Sequence, residues 1–152
     1  GTPSELYLNP QSIFVAHFIG GSNFLEGFIA EAKDKMAVVE LRGGVKVHAV
    51  NKGVNKGERV VLAVRPETFT IKKGRGKGEN SILGVIERVA FEGTNIRYEV
   101  RLENQDLVVV VTPSLTCEWF NMGENVTVSF QPENAHLFVY PEVGLREEMA
   151  VE

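Results

Sequence analysis

The sequence predicts a mainly β protein built from two small related units, with short helices at its N-terminal end. The first observation behind this is a repeat. Asn23-Phe24-Leu25-Glu26-Gly27-Phe28-Ile29 returns 57 residues later as Asn80-Ser81-Ile82-Leu83-Gly84-Val85-Ile86. The second is its closing part: Gly57-Glu58, an apolar run and Pro66-Glu67 return 66 residues later as Gly123-Glu124, a second run and Pro132-Glu133. The mismatch assigns about nine extra residues to the second copy, most simply within Pro113 to Phe120. Two copies of this period point to a duplicated β-unit and not to a solenoid. The third is period-two alternation bounded by turn residues, which is the mark of half-solvated strands.

In chain order, Thr2-Pro3-Ser4-Glu5 fits a capping box with proline at the first helical position. Asn9-Pro10 interrupts, and Gln11 to Ile19 reads as a second helix that stops at Gly20-Gly21. Ile13, Phe14, Val15, Phe18 and Ile19 make it apolar over much of its circumference, so it must pack on something else. Strands follow. Val45, Val47 and Ala49 alternate with Lys46 and His48, and Val60 to Val64 is a buried run. Ile96, Tyr98, Val100 and Leu102 alternate with Arg97, Glu99, Arg101 and Glu103, Leu107 to Val111 is a second run, and Val126, Val128 and Phe130 alternate again. Asp34-Lys35, Gly43-Gly44, Asn55-Lys56-Gly57, Gly93-Thr94-Asn95, Asn104-Gln105-Asp106 and Met122-Gly123 supply the turns. Five or so short antiparallel strands per repeat fit an OB-like barrel.

The domain reading is therefore a helical segment 1–21, a β domain 22–141 and a tail 142–152. Within the β domain, repeat one is 22–72, a linker is 73–79 and repeat two is 80–141. Lys72-Lys73-Gly74-Arg75-Gly76-Lys77-Gly78 reads as a flexible, solvated connector, in preference to a phosphate- or headgroup-binding loop.

Composition excludes several function classes. Of 152 residues, 43% are hydrophobic, enough for a core, and the net charge of -4 opposes a nucleic-acid partner. The single Cys117 rules out an internal disulfide and a multi-cysteine zinc site, and reads as a small buried hydrophobe. No apolar run reaches the length of a membrane helix, and the first residues do not have the form of a signal peptide. Asn125-Val126-Thr127 matches a glycosylation sequon inside a strand, and is read as chance.

No catalytic cluster is legible. Gly76-Lys77 is followed by glycine, so no phosphate loop is formed, and no Gly-x-Ser-x-Gly elbow occurs. His17, His48 and His136 lie far apart and read as structural. Arg65-Pro66-Glu67 and Pro132-Glu133 each end a buried strand, because proline has no amide to donate. Duplicated turn chemistry accounts for both better than a catalytic carboxylate pair. Trp119 and Phe120, in the insertion of repeat two, read either as core anchors or as interface anchors.

Gly1-Thr2-Pro3-Ser4-Glu5-Leu6-Tyr7-x-Asn9-Pro10, Phe14-Val15-Ala16-x-Phe18-Ile19-Gly20 and Asn23-x-Leu25-x-Gly27 resemble a segment of ATP-binding subunits of ABC importers. That segment follows the nucleotide-binding domain, in the branch that takes up maltose and related sugars, polyamines, ferric iron or sulfate. Val64-Arg65-Pro66-Glu67 is similar to a motif of the family's accessory domain. Asn80 to Thr112 resembles the second TOBE-type unit (transport-associated OB), and Pro132-Glu133-x-Ala135-His136-Leu137-Phe138 its closing strand. The family's ATPase signatures are absent: no phosphate loop, no Leu-Ser-Gly-Gly-Gln and no strand ending Asp-Glu.

The resemblance implies a regulatory C-terminal domain without its motor, its first helices being the motor's last turns. It implies no catalysis and no cofactor in this chain, with ATP and Mg held by the motor domain of the parent. Implied partners are a second copy of the subunit, the membrane-spanning permease subunits and a regulatory protein, at the cytoplasmic face of the membrane. Phe138 matches a family aromatic near the contact between subunits, so it is the first interface candidate, with Trp119 and Phe120 next. The alternative implied is a sensor of an oxyanion or of the transported solute, as in molybdate-binding relatives. Its candidate turns are Gly93-Thr94-Asn95 and Lys52-Gly53. Single-stranded nucleic-acid binding by an OB barrel is a distant third reading.

Overall fold

A computed structural model describes residues 22–76, 78–115 and 118–139. The expected helices within 1–21, His17, Cys117 and the tail lie outside the described residues. The rest is ten strands in two five-stranded antiparallel sheets, joined by short turns and 3-10 turns. The expected mainly β architecture of two OB-like units is what the chain adopts.

The first five strands are β1 (Asn23–Ala32), β2 (Met36–Leu41), β3 (Lys46–Val50), β4 (Arg59–Val64) and β5 (Thr70–Lys73). The next five are β6 (Ser81–Glu92), β7 (Asn95–Leu102), β8 (Leu107–Pro113), β9 (Asn125–Ser129) and β10 (Ala135–Val139). One sheet runs β10-β4-β1-β2-β3 and the other β5-β9-β6-β7-β8. Alternation does its work in both. Leu25, Ile29, Val39, Val47, Leu62 and Leu137 face one core, and Ile82, Ile86, Tyr98, Val100, Val110 and Val128 the other, all nearly inaccessible to water.

The sequence offsets reappear as register. Leu25 lies opposite Leu62 as Ile82 lies opposite Val128, and Gly27 opposite Val60 as Gly84 opposite Val126. Each long strand then changes partner. β1 is bulged between Ile29 and Glu31 on β2, and β6 between Ile86 and Arg88 on β7. A bulge bends its strand and raises the local twist, which is what curls a sheet toward a barrel. Each bulge is held by the same turn. Gly57 N–H donates to the Ile29 carbonyl (2.8 Å) and Ile29 N–H to the Glu58 carbonyl (2.9 Å). Gly123 and Glu124 repeat this on Ile86 at 2.7 and 3.0 Å. The Glu58 carboxylate accepts from the Asn55 amide at 2.8 Å, and Glu124 from that of Asn121 at 3.0 Å. Gly57 and Gly123 sit at φ 90° and 84°, where a side chain is strained.

Two expectations are corrected. The compact units are not the sequence repeats 22–72 and 80–141: one holds the described residues up to Arg65 together with those from Pro132, and the other Pro66–Gln131. The closing strands are exchanged. Repeat one's β5 pairs with β9, Ile71 opposite Val128, and repeat two's β10 pairs with β4, Leu137 opposite Leu62. The cause lies in the proline turns at Pro66–Thr68 and Pro132–Asn134, which end one strand and start the next in the other sheet.

The second correction concerns the linker 73–79. Lys73 is the last residue of β5, and the glycines after it are pinned to β9. Gly74 N–H donates to the Asn125 carbonyl at 2.9 Å. Thr127 Oγ1 donates to the Gly74 carbonyl and accepts from Gly76 N–H, both at 2.6 Å. A Cβ on Gly76 would lie 3.2 Å from the Thr127 side chain, so glycine here serves close approach as well as freedom.

The repeated glycines Gly27 and Gly84 are likewise set by contact. A Cβ on Gly27 would stand 2.5 Å from the Glu40 carbonyl oxygen, and one on Gly84 2.7 Å from Val100 Cγ1 and 3.0 Å from the Arg101 carbonyl oxygen. Gly27→Ala is expected to lower the urea midpoint by the equivalent of about 1–3 kcal/mol, as overpacking does, with an unchanged slope. Wild-type stability in that variant would show that the strand has room to shift.

Candidate interaction surface and the placement of the candidate residues

The insertion of repeat two is built on a buried tyrosine. Tyr98, on β7, is fully buried, and its hydroxyl accepts from Phe120 N–H at 3.1 Å. The two rings meet edge to face, with centroids 5.7 Å apart at 73°. Phe120 is thereby drawn into the core, and its neighbours are held at the surface. Trp119 turns outward but is tethered: its indole N–H donates to the Ser114 carbonyl at 2.6 Å. Ser114 is in turn fixed by its own N–H and hydroxyl, which both donate to the Thr94 carbonyl.

The result is an aromatic shelf on the second unit. Phe91 packs edge-on against Trp119 with centroids 5.3 Å apart. Val89, Phe91, Trp119, Phe120, Asn121 and Met122 line an open hollow of about 390 Å³. Phe91, Trp119 and Met122 remain 62, 56 and 69% exposed. Three large apolar side chains kept side by side in water form the kind of patch that marks an interaction site.

Of the three sequence-predicted interface residues, Trp119 alone reaches solvent. Phe120 is in the core of the second unit, and Phe138 is 2% exposed, packed with Val61, Ala63 and Phe24 in the first. Phe91 and Met122 were not singled out by the sequence. Phe91 stands past the bulge in a strand pattern, and Met122 in a turn, so neither had a local signal beyond its proximity to the insertion.

In the motif turn, Pro66 is buried, Glu67 exposed and Arg65 half-buried. Arg65 and Lys52 lie near His136 on β10, whose pKa is held below 6.5, first by burial and then by these two cations. The oxyanion turns hold ordinary turn chemistry. Asn51 Oδ1 accepts from Gly53 N–H (2.9 Å) and Val54 N–H (3.1 Å), so the Lys52-Gly53 amides are already engaged. The carbonyl of Thr94 supports Ser114 as described. Among the described residues no cluster of His, Cys, Asp or Glu has the makings of a metal site, and no helix is long and apolar enough to cross a membrane.

Two predictions follow from this geometry. Tyr98→Phe leaves the Phe120 amide without its acceptor and is expected to cost about 1–3 kcal/mol. The emission of Trp119, the single tryptophan, is expected to shift as the insertion loosens; an unshifted spectrum would show the tyrosine to be dispensable. For His136 the folded chain binds its proton less readily than the unfolded chain. Its contribution is therefore fully present above pH 6.5 and is lost as pH falls through that value toward the lower folded one. His136→Gln is expected to flatten the fall in urea midpoint between pH 7.5 and 5, and an equally steep fall in the variant would refute the assignment.

Comparison with known proteins adds three findings. The family model described as the TOBE domain matches residues 62–138, half of the chain. The spermidine/putrescine import ATP-binding protein PotA 1 of Pseudomonas aeruginosa is 31% identical over 140 residues, 91% of this chain and 37% of that protein. PotA of Acetivibrio thermocellus is 33% identical over 137 residues, 90% of this chain and 35% of that protein. The chain thus spans little more than a third of the length of these curated relatives. The crystal structure of the cytoplasmic molybdate-binding protein ModG with molybdate bound superposes with a TM-score of 0.66 at 16% identity. It covers 77% of this chain and 95% of its own, which shows a shared fold. The duplicated curled sheets, the proline turns and the match over 62–138 together make this chain a member of the TOBE domain family.

Proposed function

We propose that this chain is the regulatory and dimerisation domain of the ATP-binding subunit of an ABC-type solute importer, acting at the cytoplasmic face of the membrane beside permease subunits. The observation that carries the proposal is the match over about nine-tenths of the chain to ATP-binding subunits of importers, through the family model of the TOBE domain and not of an ATPase domain. The aromatic shelf supports it, since a module without chemistry of its own acts through surfaces. In a parent subunit such a domain makes motor–motor contact effectively intramolecular, so a modest shelf contact changes assembly greatly.

In this reading Trp119, with Phe91 and Met122, makes the contact with a second copy, and Phe138 supports the sheet from within. The oxyanion form of the sensor reading finds less support. The Gly53 and Val54 amides are turned onto Asn51, which leaves that turn without free donors.

Sedimentation equilibrium of the chain over a concentration series tests the contact. The wild type is expected to self-associate. Replacing both Phe91 and Trp119 by serine is expected to weaken association more than tenfold, because truncating a buried aromatic anchor removes about 2 kcal/mol or more. A wild-type chain that stays monomeric at the highest attainable concentration, or a double variant that associates unchanged, would reject the shelf as the subunit contact.

A further inference from the structure

The second unit's sheet leaves its edge strands β5 and β8 unpaired with each other, and a cleft of about 230 Å³ lies where they approach. Thr70 and Ile71 line it from β5, and Val111, Thr112 and Pro113 from β8. Glu67 from the proline turn, Phe69, and Glu118 and Phe120 from the insertion complete it. The volume is below the roughly 300–1,000 Å³ of pockets for drug-sized ligands, so the cleft suits a short aliphatic molecule.

Its chemistry is one-sided. Phe69 and Phe120 are 5 and 3% exposed and form an apolar floor. The lining carries two carboxylates, those of Glu67 and Glu118, and no basic side chain. Thr112 occupies an inward position of β8, where Val108 and Val110 precede it, and is 6% exposed. Its Oγ1 is buried without any hydrogen-bond partner, the one such side-chain atom among the described residues. Buried hydroxyls are nearly always paired, and an orphan calls for an explanation. Here the orphan lines a cleft whose other polar groups are acceptors.

We propose that this cleft binds a small alkylammonium ion. The aliphatic stem lies against Phe69 and Phe120, and the ammonium group donates its three hydrogens to the Glu67 and Glu118 carboxylates and to Thr112 Oγ1. Aromatic faces beside the cation add attraction. An anion is repelled by both carboxylates, and a hard divalent cation needs six or more oxygens, which this apolar lining does not offer. The insertion of repeat two builds the site, since Glu118 and Phe120 have no counterparts in repeat one. The proposal is independent of the dimer contact.

Titration of the whole chain with n-butylammonium, followed by amide chemical shifts at about 0.15 M salt to screen diffuse attraction, tests it. Saturable shifts are expected at Phe69, Thr112 and Phe120, with none from n-butanol, which matches the stem but lacks the charge. Glu118→Gln, at an exposed position that leaves the core intact, is expected to weaken binding about tenfold, as loss of one charge-assisted hydrogen bond does. Thr112→Val is expected to weaken it as well while the spectrum keeps its dispersion. Equal shifts from n-butanol, saturation by calcium at the same amides, an unchanged titration in Glu118→Gln, or no saturable shift would each overturn the proposal.

Discussion

The long strands β1 and β6 must serve two neighbours at once, and the structure depends on how they do it. Each pairs with one strand over its first half and with another over its second, and bends where the two sets overlap. At the bend stands a glycine, Gly27 or Gly84, with a neighbouring carbonyl so near that no Cβ fits. Just beyond it is a bulge, whose free backbone groups are taken up by an Asn-x-Gly-Glu turn. Glycine permits the approach, the bulge supplies the bend, and the turn satisfies the polar groups that the bulge exposes. Removing any of the three leaves a strand that is straight, clashing or unpaired.

The proline turns impose a second condition. A proline cannot extend the β4 ladder, so the chain leaves at Pro66 and supplies a strand to the other sheet, and Pro132 does the same in return. Each five-stranded sheet therefore contains one strand from the other repeat. Hydrophobic burial within each sheet requires both repeats, so neither half of the sequence contains a complete sheet. This also explains why the glycine-rich run after β5 is ordered. It leaves a strand already embedded in the second sheet, and Thr127 fastens it there.

Much of this was readable from residues. The offsets of 57 and 66 residues became the registers of β1 and β6 against β4 and β9, because a two-residue side-chain period ties apolar pattern to pairing. The insertion also proved real, and it carries both the aromatic shelf and the ammonium cleft. What local reading missed has a common cause. Trp119 and Phe120 are adjacent and chemically alike, yet a single hydrogen bond from the Phe120 amide to Tyr98, 22 positions away, sends one inward and leaves the other out. Thr112 looked like the end of a strand, and only its missing partner marks it.

The sequence by itself determined the β class, the duplication, the turn positions, the strand registers and the lack of a legible catalytic cluster. Each is a matter of local period or of residue type, and those act over a few neighbours. Tertiary structure decided the exchange of closing strands, the burial of Phe138, the exposure of Trp119 beside Phe91, and the meeting of Glu67, Thr112 and Glu118 at one cleft. These depend on contacts between segments tens of residues apart, which no local pattern encodes. They are settled only when the chain must satisfy burial and hydrogen bonding everywhere at once.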